Sequence, residues 1–442
     1  MTFTFADLFA GIGGFHAALS KHGGESSFVS EIDEHAHKVY AKNWLEGDLE
    51  FIDGDITKLT SGQVRVPKHN VLTGGFPCQP FSKSGNQRGV AEVRGTLFYD
   101  ILRIVETKKP DLILLENVRN LVGPKHITDY KVMIRLIREL GYVVSDEPTI
   151  LSPHEIPEHL GGTPQHRERV FIGAIRMNAS VASNLRDIGP LLPRHPFKDL
   201  GPIEWDLAEY LEKNSSRTSS NPVGAEISAD QKIALNVWND FVKRNLRENG
   251  EQLPGLPLWT EFWKPRNEIH LSRSLPDWKR RFIERNSEFY VTNRKWIDPW
   301  LRESNLEELI PSYRKFEWQA QNHRNINNCL VQFRPSGIRV KAPTYVPTFV
   351  AMTQTPVLAW EKRTLGVGEA KVLQGFPRSF NFGDQRDSLS FKQIGNAVHV
   401  GVASIVFQSL IKRARQLDQP WASSAEIKNL KLNQLPVPHW NE

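Results

Sequence analysis

Short apolar runs alternate with amphipathic stretches through the first 175 residues, and this alternation narrows the available folds more than any other feature of the chain. It is the pattern of a sheet built from βα units. Strands are predicted at Phe3–Phe9, Phe28–Ile32, Val71–Thr73, Leu112–Glu116, Val143–Ile150 and Val170–Ile175. Helices are predicted near Phe15–Lys21, Glu34–Asn43, Leu97–Thr107 and Asp129–Leu140. The economical assembly is α/β, a doubly wound, Rossmann-like sheet.

From Met177 to Pro343 the alternation stops, and eight of the twelve tryptophans fall in this stretch. A second, smaller domain is expected there. Ser228 and Gln231 make a capping box, after which Ala234, Trp238, Phe241 and Val242 share one helix face. Past Pro343 the α/β character returns, with helices expected at Glu369–Leu373 and Gly395–Arg413 and a polar tail from Gln419. With 442 residues, two or three domains are expected.

Composition closes off several classes. Hydrophobic residues make 39% and charged residues 24%, an ordinary balance for a folded protein. No apolar run approaches the roughly 18 residues of a membrane helix, so a membrane span is excluded at this level. The apolar start, Met1–Ala10, lacks a basic leader and reads as a strand rather than a signal peptide, which points to the cytosol. Two cysteines, Cys78 and Cys329, rule out a disulfide framework, and no metal site is expected. The net charge of +6 permits a polyanionic partner without demonstrating one.

The chemistry concentrates at strand ends. Phe9, Ala10, Gly11, Gly13 and Gly14 form a turn between strand and helix in which glycines let backbone approach an adenosine-bearing cofactor. Nicotinamide, flavin and S-adenosylmethionine use the same turn. The next strand ends at Glu31 and Ile32, where a carboxylate can accept from ribose hydroxyls, and a third ends near Asp55 and Ile56, placed to meet an adenine edge. Three such ends favour a nucleoside cofactor over mere packing. After the fourth strand comes Gly74-Gly75-Phe76-Pro77-Cys78-Gln79-Pro80-Phe81-Ser82. A thiol with an ordinary pKa of about 8.5 must ionise to act as a nucleophile, and a proline-braced loop at a strand's carboxyl edge favours that. The bland alternative is a buried inert cysteine. After the fifth strand come Glu116-Asn117-Val118, then Gly161-Gly162 and Gln165-His166-Arg167-Glu168-Arg169. A carboxyl, a thiol and an arginine at one sheet edge can grip a heterocycle and add to it.

With these motifs in this order, the chain resembles the DNA (cytosine-5) methyltransferase family across residues 3–175 and about 332–410. The likeness also takes in Ser30–Asp33, Gly54–Ile56, Arg94-Gly95-Thr96-Leu97-Phe98, Arg363-Thr364-Leu365, Leu373–Pro377 and Gln393–Val398. One departure is Leu365-Gly366-Val367-Gly368-Glu369, where members often read Leu-Thr-Pro-Arg-Glu. The two glycines are expected to loosen the start of that helix.

The resemblance implies a catalytic and cofactor-binding domain over 1–176 completed by 391–417, a small domain over 177–390 with its target-recognition region at about 177–343, and a tail from 418 to 442. It implies that a cytosine is flipped from the duplex, that Cys78 adds to C6 while Glu116 engages N3, and that C5 takes the methyl of S-adenosyl-L-methionine. Arg169 would hold the base carbonyl, and Arg167 would support it or the loop. Phe9, Glu31, Asp55, Leu97 and Asn396 would line the cofactor pocket, with Pro77 and Val398 beside them. Gln79 to Arg94, with Ser82, would form a lid over the flipped base. Around Trp278, the run Lys279, Arg280 and Arg281 would contact DNA, although a solvated helix face is the bland alternative and most of the tryptophans are expected in a small core. Double-stranded DNA is the implied partner of an expected monomer in a bacterial cytoplasm, associated with the nucleoid when acting. A cognate restriction endonuclease is a functional partner on this reading. The rival readings are a tRNA cytosine-5 methyltransferase, against which the long 177–343 insertion speaks, and a non-catalytic DNA-binding relative, against which intact Cys78, Glu116 and Arg169 speak.

Overall fold

A computed structural model describes residues 3–77, 96–177, 187–212, 224–251, 253–272, 274–350, 355–419, 421, 430 and 432–435. The chain divides into two units, residues 1–205 with 370–442, and residues 206–369. These limits differ from the sequence-based boundaries at 177 and 391. The reason is core packing: Ile188, Leu191, Leu192 and Phe197, and later Phe376 and Phe380, belong to the same buried cluster as Phe3 and Phe407.

The first unit is built on strands β1 (Phe3–Leu8), β2 (Gly24–Ser30), β3 (Ile52–Asp53), β4 (Val71–Gly75), β5 (Leu112–Val118), β6 (Tyr142–Val144), β7 (Thr149–Leu151) and β8 (Arg169–Arg176). Their order is β3-β2-β1-β4-β5-β8-β6, with β7 also paired to β8. The first five are mutually parallel, and β8 runs antiparallel to β5, β6 and β7. Both faces are buried, as a parallel sheet requires. On β1, Phe3 and Phe5 enter one apolar cluster, and Ala6 and Leu8 enter the other, the two-residue period of a strand. The chain leaves β1 toward β3 on one side and returns to β4 on the other. The carboxyl ends of β1 and β4 are therefore the point where the winding reverses, the place where such sheets bind ligands.

Three elements differ from expectation. The predicted strand Val143–Ile150 is two strands, because Ser145 turns the chain: its hydroxyl donates to the Glu147 carbonyl at 2.8 Å. The two-residue β3 is too short to show a period. The helix predicted over Gly395–Arg413 is two helices, Asp387–Asn396 and Val400–Gln416, with Ala397 and His399 extended between them.

Residues Asp387–Gln416 have the length and apolar composition of a membrane helix, the one such stretch among the described residues, and most of it is buried inside the unit. Ile405, Val406, Phe407, Leu410 and Ile411 are fully buried. Their transfer from water stabilises the fold by on the order of 10 kcal/mol. Helix Val400–Gln416 starts against the Gly161 backbone: a Cβ on Gly401 would lie 1.8 Å from the Gly161 carbonyl oxygen. Only two glycines allow that approach.

The second unit carries the sheet β14-β13-β11-β12-β10-β9, made of β9 (Leu258–Trp259), β10 (Lys315–Gln319), β11 (Leu330–Arg334), β12 (Gly337–Lys341), β13 (Val357–Leu358) and β14 (Arg363–Thr364). Helix Ala229–Asn249 begins with the capping box read from the sequence, Ser228 Oγ accepting from Gln231 N and Gln231 Oε1 accepting from Ser228 N. Trp238 stacks on Phe316 with ring centres 4.4 Å apart, and Trp263, Trp300 and Trp318 are buried in the same core. Cys329 is a buried thiol, pushed by burial up to about 12. The glycines before Glu369 do not leave its surroundings loose. Glu369 accepts two hydrogen bonds from Arg363, at 2.8 and 2.7 Å, one from Gly366 N at 2.8 Å and one from Glu212 N at 3.0 Å.

Candidate active site

A cavity of about 430 Å³ opens at the reversal point of the first unit, reached by the ends of β1 to β5. That volume suits a nucleoside-sized ligand. Phe9 closes β1 with φ +55°, a left-handed conformation rare for a bulky side chain and typical of strain held at a functional site. Gly11 follows. Its N–H donates to Glu31 Oε2 at 2.7 Å, and the space a Cβ would occupy is open. Glu31 Oε1 accepts from the N–H groups of Ile32 and Asp33, both at 2.9 Å. The carboxylate is thus fixed at the end of β2 and keeps acceptor capacity toward the cavity.

Phe9, Gly11, Glu31, Ile32, Asp55, Ile56, Pro77, Leu97 and Asn396 all line this space. Ala10, Gly13, Gly14 and Val398, grouped with them from sequence, are not among the residues that line this space. A Cβ on Gly13 (φ +88°) would strike Trp44 at 2.2 Å, and one on Gly14 would lie 2.4 Å from the Val398 carbonyl oxygen. Asp55 caps the short helix Ile56–Thr60, with Oδ1 taken by Thr57 N at 2.9 Å and Thr57 Oγ1 at 2.8 Å. The Thr57 hydroxyl and N–H hold its carboxyl below the usual range.

Across the cavity, Glu116 at the end of β5 is buried, with Oε1 3.0 Å from Arg169 Nε. Burial pushes the Glu116 carboxyl above the ordinary range, against the pull of Arg169 and Arg167. Burial likewise lowers both guanidinium groups, Arg167 to about 9, with Arg169 adding to its shift and Glu116 opposing it. Register places Arg169 opposite Val118 and Phe171 opposite Glu116 on the antiparallel pair, so β8 delivers the arginine to the β5 carboxylate. Arg167 does different work from Arg169. Its Nη2 donates to the Gly395 and Ala397 carbonyls at 3.0 and 2.8 Å, and it lines the cavity with Arg169.

Asn117, given no role from sequence, ties the site together: Nδ2 donates to the Phe76 carbonyl at 3.0 Å, and Oδ1 accepts from Val118 N at 2.8 Å. It pins the chain leading to position 78 onto β5. An amide next to a strand-end acid is the signal that would have revealed it. Asp7, also unforeseen, is fully buried and accepts from Thr73 Oγ1 at 2.8 Å, and burial raises its carboxyl to about 7. Lys392 and Asp33 face each other at 3.4 Å along the same lining. Cys78, Gln79, Ser82, Arg94 and the remainder of the expected lid lie outside the described residues.

In the second unit, Lys279, Arg280 and Arg281 sit on helix Asp277–Glu303. Consecutive helical residues point about 100° apart, so the three do not share a face. Arg280 is half-buried and donates to the Ser272 carbonyl at 3.3 Å. Arg281 is exposed, as is Trp278 at 54%.

Comparison with known proteins bears on this arrangement. The chain is 35% identical to the Type II methyltransferase M.AluI of Cellulosimicrobium cellulans, over 98% of this chain and 96% of that protein. It is 27% identical to the Type II methylase M.HgiEI of Herpetosiphon aurantiacus over 90% of this chain and 94% of that one. It is also 42% identical to the Type II methyltransferase M.HpaII of Haemophilus parainfluenzae over 52% and 65% of the two chains. The family description of the C-5 cytosine-specific DNA methylases matches residues 3–412, nearly the whole of both units. A wound sheet with its cavity at the reversal point and an acid and arginine facing each other there is thus the frame of a known enzyme group, and this chain belongs to the C-5 cytosine-specific DNA methylase family.

Proposed function

We propose that this chain transfers the methyl group of S-adenosyl-L-methionine to C5 of a cytosine in double-stranded DNA, through a covalent bond between Cys78 and C6. The observation that carries the reading is the buried Glu116–Arg169 pair on the same lining as Pro77, the residue before Cys78. The residues fit the methyl donor: Gly11 leaves its wall of the cavity open and Glu31 offers a fixed carboxylate for ribose hydroxyls. When bound, S-adenosylmethionine supplies an electrophilic methyl group on a sulfonium.

The protein's own groups do the rest. A flipped cytosine costs a few kcal/mol of stacking and pairing, offset by contacts in the site. The Cys78 thiolate forms a bond to C6. Glu116, kept protonated more readily by its burial, gives a proton to N3, where the electron pair pushed through the ring comes to rest, and is left as a carboxylate. Arg169 holds the base carbonyl. C5, now electron-rich, bonds to the methyl group as the methyl–sulfonium bond breaks with its electron pair left on sulfur, so that the donor would depart as the neutral thioether S-adenosylhomocysteine, and N3 returns its proton to the Glu116 carboxylate. A base, proposed to be water, takes the C5 proton, and the pair left behind re-forms the C5–C6 double bond as the thiolate departs. Gln79, Ser82, Arg94, Lys279, Arg280 and Arg281 are proposed DNA contacts. The chain acts on this reading as a monomer in a bacterial cytoplasm, protecting host DNA beside a companion restriction endonuclease.

The test is bisulfite sequencing of duplex DNA treated with the protein and S-adenosylmethionine, beside tRNA in parallel. Protected cytosines at one recurrent sequence in the duplex are expected. Methylation confined to tRNA overturns the choice of substrate. For the cofactor, Glu31→Ala is expected to raise the dissociation constant by about 10- to 100-fold in calorimetry, since hydrogen bonds to a charged acceptor contribute about 1.5–3 kcal/mol. An unchanged constant removes Glu31 from the site.

A further inference from the structure

Three loops of the first unit close on one another behind the cavity: Gly161–Arg167, Leu373–Gly375 and Gly395–His399. Their polar side chains are buried, and the hydrogen bonds among them have only one consistent set of directions. Thr163 Oγ1 donates its single proton to the Leu373 carbonyl at 2.7 Å. Its 2.9 Å contact with His399 Nε2 then requires the imidazole to carry the proton on Nε2. Nδ1 is left as an acceptor, and it takes Val402 N at 3.3 Å, capping helix Val400–Gln416. Burial holds the ring neutral, down to about 3. The knot continues through Gln165 Nε2 to Gln374 Oε1 at 3.1 Å and Gln374 Nε2 to the Ala397 carbonyl at 2.7 Å. Arg167 grips the Gly395 and Ala397 carbonyls. These two carbonyls flank Asn396, which lines the cavity.

We propose that Thr163 and His399 are positioning residues for the cofactor: the locked hydroxyl–imidazole pair fixes the start of helix Val400–Gln416 and, through it, the turn that presents Asn396. This rests on the reading that the cavity holds S-adenosylmethionine. Neither side chain touches the cavity, so their effect is indirect, exerted on the geometry of the turn. Gln165 Oε1 is buried without a hydrogen-bond partner, so the fixing of the backbone is carried by the hydroxyl–imidazole pair, whose three polar atoms are all engaged.

Thr163→Val keeps the volume and removes the hydroxyl, leaving His399 Nε2–H and the Leu373 carbonyl without this partner. Thr163→Ser restores it. Calorimetry is expected to show the dissociation constant for S-adenosylmethionine rising about tenfold in T163V, and recovering to within about threefold in T163S. At saturating cofactor the KM for duplex DNA and kcat stay within about twofold of wild type. If T163V does not fold, His399→Asn serves in its place, because Asn keeps an acceptor for the helix cap and loses the reach to Thr163. Wild-type affinity in the variant, a parallel loss of DNA affinity, or no recovery in T163S overturns the assignment while the cavity reading stands. Absence of cofactor binding by the wild-type protein overturns the cavity reading and this assignment with it.

Discussion

Replacing Cys78 by alanine is expected to abolish methyl transfer, lowering kcat/KM by on the order of 10⁴-fold or more, while the dissociation constant for S-adenosylmethionine stays within about twofold. The asymmetry follows from what each part of the site does. C5 of an unactivated cytosine is too poor in electrons to attack a sulfonium, so without the thiolate the chemical step has no entry. The wall proposed for the cofactor draws on other strand ends, Phe9, Gly11, Glu31 and Ile32. Single-turnover methylation and calorimetry on the same preparation separate the two effects. Substantial turnover in C78A ends the nucleophile assignment.

Glu116→Gln is the second large effect, a fall in kcat of about 10²- to 10⁴-fold with cofactor affinity retained. Glutamine keeps an acceptor for Arg169 but has no proton to give to N3. The pH dependence has a definite sign. Burial raises the Glu116 carboxyl above its ordinary value, opposed by Arg169 and Arg167, so the acid form persists to higher pH than an exposed glutamate allows. Activity that needs this proton is present below the raised pKa and is lost as pH rises through it. In E116Q that descending limb disappears from the pH profile of kcat. A variant that keeps the limb, or keeps wild-type kcat, shows that another group protonates the ring.

Much of this was legible in the residues because local rules sufficed. The glycine turn after β1 and the strand-end acids Glu31 and Glu116 are one-dimensional signals, set by the period of a strand and the backbone freedom of a turn. The features that escaped depend on partners distant in sequence. Nothing near Gly401 announces that Gly161 backbone must press against it, and nothing near Thr163 announces His399, 236 residues away. Nothing in the glycine motif announces that Trp44 and the Val398 backbone lie where a Cβ on Gly13 or Gly14 would fall. The domain limits moved for the same reason: residues 188–197 look irregular in sequence, yet Ile188, Leu191 and Phe197 complete a core formed with residues from both ends of the chain. Arg167 and Arg169, two residues apart on one segment, could not be told apart by type. The register of β8 against β5 sends Arg169 to Glu116, whereas Arg167, which precedes that strand, donates to the Gly395–Ala397 turn.

The most direct measurement is covalent capture. Duplex oligonucleotides bearing 5-fluorocytosine at the methylated position, incubated with the protein and S-adenosylmethionine, are expected to yield a denaturation-resistant complex whose peptide map places the base on Cys78, because fluorine at C5 cannot leave as a proton does. A wild-type protein that methylates the normal duplex yet forms no such complex, or forms one equally well as C78A, contradicts the account.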